Sequence, residues 1–592
     1  MIDHDVAVAI IGGSLGGVAA ADPASVHPCL LTEEAVWLGG QLTAQGVSAP
    51  DEHAYIETFG APASYLRLRA AIRQTYIERE GAPAIMAESV LGPNLPLNPG
   101  NGWVSRLCFL PARAAALFEQ QLPVARLRGR VVSAEAEGGH VRSVTVEDAS
   151  GAQHRIRARY FLDATDTGEL LPLADVPFVT GAEARADTGE PHAPLMARPR
   201  ESQGFTFCFA VEFCAGEDHT IPKPEGYEAF RDSQPYTLSP LGRDGQPVVY
   251  RMFDTSEQGN LPFWSYRRLH DGALLGGNDI ALINWISNDY HGGDILHAAP
   301  DERARYLDEA KRLSLGFLYW LQTECPRDDG GYGYPELKLR PDVMGTADGL
   351  SQQPYIRESR RIVACTRIAE QDITAEHNDG ARARHVEDSV GVGWYAMDLH
   401  PCVGNPSVSM YAPTRPFQIP LRALLPAMGG NLIAACKNIG TTHLTNGAYR
   451  LHPIEWAIGE AAGTLAAFCV EHDLTPAQVA ADAWLTWRLQ ARLVRRGCPI
   501  FWAVDVTHDD PLFLPTQLLL VRGLLVHGSA RWHTLTIRPD APLGEDIDLQ
   551  RLEAIIEECR LHGILHAPLP IDHDLTWAAL CSLFEPVFAN LR

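Results

Sequence analysis

A continuous apolar run, Val6 to Ile11, ends at a glycine cluster and predicts a short buried strand. After it come the small-residue segment Val18 to Ala21 and a second apolar run, CLLT, which closes at Glu33. Strand, glycine turn, helix and strand in that order predict the opening of a Rossmann unit. Asp22-Pro23 interrupts this helix. A proline there removes a backbone hydrogen bond and clashes with the previous turn, at a cost of roughly 3 kcal/mol, so the helix is expected to stop near Ala21. Pro28 is tolerable as the first residue of an edge-like strand.

Helical periodicity returns at residues 62–81 and 111–122. From 129 to 162 the pattern alternates in three runs separated by EGG and DASG turns, a β-meander that returns into a buried strand at Tyr160–Ala164. Residues 200–300, rich in proline, glycine and aromatics, predict an inserted domain of mixed strand and loop, and 301–324 an amphipathic helix. NLIAACKNIG, 431–440, predicts a buried strand ending in glycine. Residues 454–474 predict a helix whose small-residue face suits close packing, and helices recur at 476–497 and 549–562.

Composition narrows the class. At 592 residues the chain exceeds the usual single-core size of about 250–300 residues, so two or more cores are expected. A net charge of -24 with no dense Lys/Arg stripe disfavours nucleic acid and anionic membrane as partners. No stretch approaches the ~18 uninterrupted apolar residues of a membrane span. The segment MIDHDVAVAII carries acids where a signal peptide would carry bases, so a cytoplasmic protein is expected. Twelve cysteines without a CxxC read as reduced, mostly buried thiols, and no metal site is expected.

The glycine cluster, Gly12-Gly13-Ser14-Leu15-Gly16-Gly17, fits GxGxxG with Ser14 in the middle glycine's place. Gly12 permits the tight turn and Gly17 close helix–strand packing, while the Ser14 hydroxyl and the first-turn amides can donate to a diphosphate. Glu33 follows Gly12 at close to the ~20-residue spacing of a ribose-binding acid. A further pair, Gly39-Gly40, lets backbone approach a large flat cofactor or its phosphates, with Gln41 and Thr43 as side-chain donors; an ordinary turn would look the same.

For substrate chemistry the strongest segment is PYIRESRRI, 354–362. Arg357, Glu358, Arg360 and Arg361 suit either carboxylate or phosphate recognition by guanidinium forks or a salt-bridge network joining two lobes. His400, in the loop DLHPC, is a candidate general base. Tyr355, His443 and Arg450 are weaker candidates for the same pocket. Trp264, Tyr266, Trp285 and Tyr290 form either a substrate wall or, more often for such residues, core.

VAIIGGSLGGVAAA, TEEAVWLGGQLTAQGV, YFLDATDTGELLPLADV and NLIAACKNIG with GAYRLHPIEWAIGEAAG occur in the order found in FAD-dependent oxidoreductases. With PFWSYRR, DIALINWISNDY and SLGFLYWLQTECP, they make the chain resemble the FAD_oxidored family, related to the glutathione reductase and fumarate reductase flavoproteins, over most of residues 5–525. The resemblance implies a Rossmann-like α/β domain with a meander, built from residues 1–200 and 386–475. A substrate or cap domain would occupy 201–385 and a C-terminal helical appendage 476–592.

It also implies FAD as cofactor, held by Gly12, Ser14, Gly17 and Glu33, with Gly39 and Gly40 at the turn near its phosphates. Val131 would lie near the adenine, Asp166 and Gly168 in a strand-end motif, and Gly440, Gly459 and Gly463 on the strand and helix that approach the isoalloxazine. The expected reaction is hydride transfer from a small organic substrate to the flavin, with O2 or another acceptor reoxidising it. Alternatives are a flavin monooxygenase, or a non-catalytic flavin-holding or wall-associated protein, since 501–556 faintly resembles an S-layer-homology repeat. The shortened first helix departs from the family pattern and bears on packing before it bears on binding.

Overall fold

Val6–Ile11 forms the inner half of a longer strand, β1 (Ile2–Ile11), whose last four residues are fully buried while its first lie at the surface. This computed structural model describes residues 1–242, 245–406, 410–566 and 569–591. The helix α1 (Leu15–Ala24) and the strand β2 (Cys29–Glu33) follow. α1 does not stop at Ala21: it carries Pro23 inside its last turn. Pro23 is buried with Ala20, Ala21 and Ala24, Ser25 closes the turn through its amide to the Ala21 carbonyl at 3.0 Å, and exposed Asp22 pairs with Arg496. So near the helix end the ring removes only one backbone bond, and packing of the apolar face outweighs that loss.

Next come α2 (Ala63–Glu80), α3 (Pro111–Gln121) and β3 (Ala125–Arg128), then the predicted meander β4 (Arg130–Glu137), β5 (His140–Glu147) and β6 (Gln153–Asp163). The inserted region builds an antiparallel sheet from β7 (Phe209–Phe213), β8 (Arg268–His270), β9 (Ile280–Ile283) and, beyond the long helix α4 (Pro300–Thr323), β10 (Leu337–Leu339). α4 buries Leu313, Phe317 and Leu321 in an aromatic core with Phe209, Tyr236 and Trp264.

The chain then returns to the first sheet. β11 (Leu432–Ala434) is shorter than the predicted strand and pairs in parallel with the buried end of β6. The short helix α5 (His443–Tyr449) and the long α6 (His452–His472) follow. The parallel order is β3-β2-β1-β6-β11, with β5 and β4 added antiparallel to the outer part of β6. β1 therefore lies between β2 and β6 at the point where strand order reverses, and α1 starts from the carboxyl end of β1. That is the position at which open α/β sheets bind ligands.

Gly459 and Gly463 pack α6 directly on α1. A Cβ at Gly459 would lie 2.0 Å from the Gly16 carbonyl oxygen, and one at Gly463 2.3 Å from that of Ala20. The two glycines thus serve helix–helix contact between α6 and α1.

The predicted helix at 476–497 is two helices, α7 (Pro476–Ala481) and α8 (Ala483–Arg495). Asp482 breaks them by capping the second, accepting from the Trp484 and Leu485 amides at 2.8 and 3.0 Å. With α9 (Phe513–Leu520), α10 (Leu549–Leu561) and α11 (Trp577–Ala589) they form a second apolar core. That core also takes in Phe59 and Val392. Among the described residues no helix is long and apolar enough to cross a membrane.

Candidate active site

At the carboxyl end of β1, Gly12 adopts a left-handed φ of 100° and a Cβ there would meet the Ala164 carbonyl oxygen at 2.4 Å, so the turn requires glycine. Ser14 caps α1, its hydroxyl accepting from the Gly17 amide at 3.3 Å. Gly12, Ser14 and Gly16 also spell GxSxG, but this buried hydroxyl is engaged in the cap and, among the described residues, pairs with no histidine. The Gly13 amide donates to Glu33 Oε2 at 2.7 Å, and burial pushes the Glu33 carboxyl up to about 7. Gly129 donates to the Glu33 carbonyl at 2.9 Å, which brings the meander strand carrying Val131 beside the end of β2. Gly39 faces the Phe118 ring, whereas Gly40 abuts the Ser14 backbone.

Behind this turn lies a buried charged cluster. The Gly16 amide donates to Glu455 Oε1 at 3.1 Å, and Gln41 donates both to Glu455 Oε2 at 2.5 Å and to the Arg450 carbonyl at 3.0 Å. The Lys437 ammonium sits 2.5 Å from Asp166 and 3.4 Å from Glu455. Burial would lower the Lys437 ammonium, but these carboxylates hold it well above its ordinary value. Asp166, Cys436 and Glu455 hold ligand-type atoms close together, yet Lys437 already supplies the positive charge among them.

Beyond Arg450 opens a cavity of about 250 Å³ lined by residues of both lobes, among them Asp51, Tyr266, Arg267, Tyr355, Arg357 and His400. Three guanidinium–carboxylate pairs stand in its wall: Arg267–Asp51 at 2.9 Å, Arg357–Asp289 at 2.8 Å and Arg450–Asp398 at 3.5 Å. His400 bridges two of them, with Nδ1 2.5 Å from Asp289 and Nε2 3.4 Å from Asp398. Burial would raise Asp398, but His400 and Arg450 hold it at about 2; Arg357 and His400 likewise keep buried Asp289 well below the usual carboxylate range. Both acids are therefore anions at neutral pH. Tyr266 and Trp285 line this cavity as the aromatic-wall reading anticipates, whereas Trp264 and Tyr290 belong to the cap core.

Arg360 is a correction. Its guanidinium donates to the Thr167 carbonyl at 2.9 Å and to the Leu296 carbonyl, and packs over Phe178, away from the cavity. Arg361 instead enters a buried network with Glu183 and Glu358, and Glu358 also contacts His443 at 3.0 Å. Two of the four charged residues in this segment thus form the salt-bridge network, and Arg357 alone reaches the cavity. Gly440 packs on Ala364, to which a Cβ would come within 2.4 Å.

The profile of the FAD dependent oxidoreductase family matches residues 7–493. The chain belongs to that family. FAD is therefore its cofactor, and the protein is an FAD-dependent oxidoreductase with a Rossmann-like α/β fold. A search of curated proteins found no match. Solved structures resemble this oxidoreductase only distantly. L-proline dehydrogenase from P. horikoshii is 15% identical over 30% of this chain and 24% of its own, at a TM-score of 0.16. A flavin-dependent brominase is 13% identical over 37% and 48%, at 0.22. Anhydrotetracycline hydroxylase from Streptomyces rimosus is 12% identical over 92% and 82%, at 0.31. The chain thus spans less than half the length of the first two, and the assignment rests on the family match.

Its residues fit FAD. Among the buried polar atoms that lack a partner are Gln41 Oε1, Gln45 Nε2, Thr441 Oγ1 and Asn446 Oδ1. The Gln41, Gln45 and Asn446 side chains are each held by another bond, such as Ile356 amide to Gln45 Oε1 at 3.3 Å and Asn446 to the Arg357 carbonyl at 2.9 Å. An unsatisfied buried polar atom costs about 1–3 kcal/mol, and a heteroatom-rich ring system would remove that cost. The oxidoreductase's Asp51, Asp289, Asp398, Tyr395, Lys437 and Glu455 were not singled out from sequence. Single acids, a tyrosine and a lysine scattered along the chain carry no spacing signal.

Proposed function

We propose that this oxidoreductase oxidises a small organic substrate held in the cavity between its lobes, with His400 as general base and Arg357 as a positioning residue. One observation carries this reading: Asp289, itself fixed by Arg357 and by the Thr206 hydroxyl at 2.5 Å, takes the Nδ1 side of His400. With Nδ1 engaged by Asp289, Nε2, which also lies 3.4 Å from Asp398, is the nitrogen proposed to exchange a proton with substrate. Gly12, Gly13, Ser14, Gly16, Gly17, Glu33, Gly39, Gly40, Gln41, Val131 and Asp166 are proposed to border the FAD. When bound, FAD supplies the two-electron acceptor for a hydride from substrate. The chain's own part is to hold the substrate, exclude water and accept the proton.

Anaerobic photometry of the purified holoenzyme tests this. A substrate should bleach the flavin absorbance, and His400→Asn should slow that bleaching by about 10²–10⁴-fold while Arg360→Met leaves it near wild type. Bleaching by NAD(P)H alone, with no organic substrate active, would replace the reading with a monooxygenase. A protein that gains no flavin absorbance with added FAD would remove it altogether.

A further inference from the structure

We infer that the inserted region carries a site for a thiophilic divalent metal ion, zinc by its donor set, formed by Cys214, Glu217 and His219 in the loop that leaves β7. The Cys214 sulfur, a Glu217 carboxylate oxygen and a ring nitrogen of His219 all lie within 4.8 Å of one another. His219 Nε2 stands 2.7 Å from Glu217 Oε2. Thiolate sulfur, imidazole nitrogen and carboxylate oxygen are the donor types that zinc takes, and three protein donors leave a fourth tetrahedral position to water. Magnesium and calcium take oxygen, so sulfur and imidazole select against them. None of the three residues lines the cavity between the lobes, and the site is separate from the oxidation proposed above.

The backbone builds this convergence. Cys214 follows β7 directly, its amide donating to the Glu336 carbonyl at 2.9 Å, and the His219 amide donates to the neighbouring Pro335 carbonyl at 2.8 Å. Both ends of the loop are thereby fixed to one short stretch of chain just ahead of β10. Between them the Glu217 amide donates to the Cys214 carbonyl at 3.1 Å, through a turn in which Gly216 takes a left-handed φ of 78°. Buried Gln322 of α4 completes the frame, donating to the His219 carbonyl at 2.8 Å and accepting from the Ile221 amide at 3.0 Å. Donors already held together lose little freedom when an ion binds.

The local charge also suits a cation. Burial and the Glu212 and Glu217 carboxylates push the Cys214 thiol up, because a thiolate there has acids for neighbours. A bound dication reverses that balance: the thiol gives its proton to solvent as the sulfur–metal bond forms, and thiolate and carboxylate together match the ion's charge. Glu212 is engaged by Arg340 at 3.1 Å, but among the described residues Glu217 pairs with no lysine or arginine. This separates the loop from Asp166, Cys436 and Glu455, where the Lys437 ammonium already stands among the acids. Glu217 is exposed and His219 half-buried, so an ion can enter from solvent.

The test uses the flavin-loaded protein after dialysis against EDTA, with Co2+ and Zn2+ as probes. Wild type should take up one equivalent of Co2+, with the intense d–d bands of a tetrahedral site and a thiolate-to-cobalt charge-transfer band, and Zn2+ should displace it. Cys214→Ser and His219→Gln should each weaken Zn2+ binding by at least about ten-fold, read by competition with a chromogenic chelator. Cys365→Ser, at an exposed cysteine elsewhere, should leave it unchanged. Zn2+ should also raise the melting temperature of wild type and not that of Cys214→Ser. If loss of the buried Cys214 thiol unfolds the chain, His219→Gln, at a partly exposed side chain, decides the matter. The site is overturned if wild type binds no stoichiometric Zn2+, if the cobalt spectrum is octahedral without a charge-transfer band, or if the folded variants bind Zn2+ as tightly as wild type.

Discussion

The Gly16 amide donates to the Glu455 carboxylate at 3.1 Å, joining the first turn of α1 to the first turn of α6 across 439 residues of sequence. The same carboxylate holds Gln41 and faces Lys437, so it ties the nucleotide turn to the buried cation behind it. Glu455→Ala would leave the Gly16 amide unpaired and Lys437 with Asp166 alone. The expected loss is about 3 kcal/mol, read from urea unfolding of the flavin-loaded protein. Glu455→Gln should recover part of it by keeping the hydrogen bonds without the charge.

Helix contact at Gly459 admits no side chain. Gly459→Ala should therefore destabilise the fold by about 1–3 kcal/mol, because α1 and α6 must separate to admit a methyl group. A denaturation midpoint equal to wild type would show that the helices can part without loss.

His443 gives the stability a pH dependence of definite sign. Burial alone would lower its pKa, but the Glu358 carboxylate raises it from 6.5 to about 10. A group raised in the folded state contributes in full below its unfolded value and loses that contribution as pH climbs through the folded one. The melting temperature should fall between pH 6.5 and 10, and His443→Gln should flatten that slope while lowering stability at pH 6.5. A slope identical in the variant would assign the dependence to other groups.

Pro23→Ala restores the one amide that the Ala19 carbonyl lacks. It should raise stability by roughly 1 kcal/mol, less than the ~3 kcal/mol of a mid-helix proline because the ring sits in the last turn. FAD affinity, measured by fluorescence titration, should stay within about two-fold, since the binding groups are at the other end of the helix. A larger change in affinity would place the helix end in the binding machinery.

The parallel sheet was legible because β1 and β2 are continuous apolar runs and Gly12 needs a conformation other residues avoid. The meander was legible from its alternation. The true extent of α1 was not, because propensity places a break at Pro23 and only the tertiary contact with α6 overrides it. In the site, Arg357 and His400 stood out singly, but Asp289, which links them, lies in an aromatic-rich stretch with no pattern of its own. Arg360 was misplaced because neighbours along extended chain point to opposite sides: Arg361 turns inward to Glu183 and Arg360 toward the Thr167 carbonyl.

The cavity wall takes Asp51 from near the start of the chain, Arg267 and Asn284 from the inserted region and Arg450 from the return to the first sheet. During synthesis, then, no reactive chamber exists until the ribosome has passed Arg450 and the late segment has found the early one. A nascent or truncated chain lacks α6, the partner that completes α1, as well as the wall that positions a base beside a substrate. Closure of the nucleotide turn and assembly of the chamber thus await the same late segment.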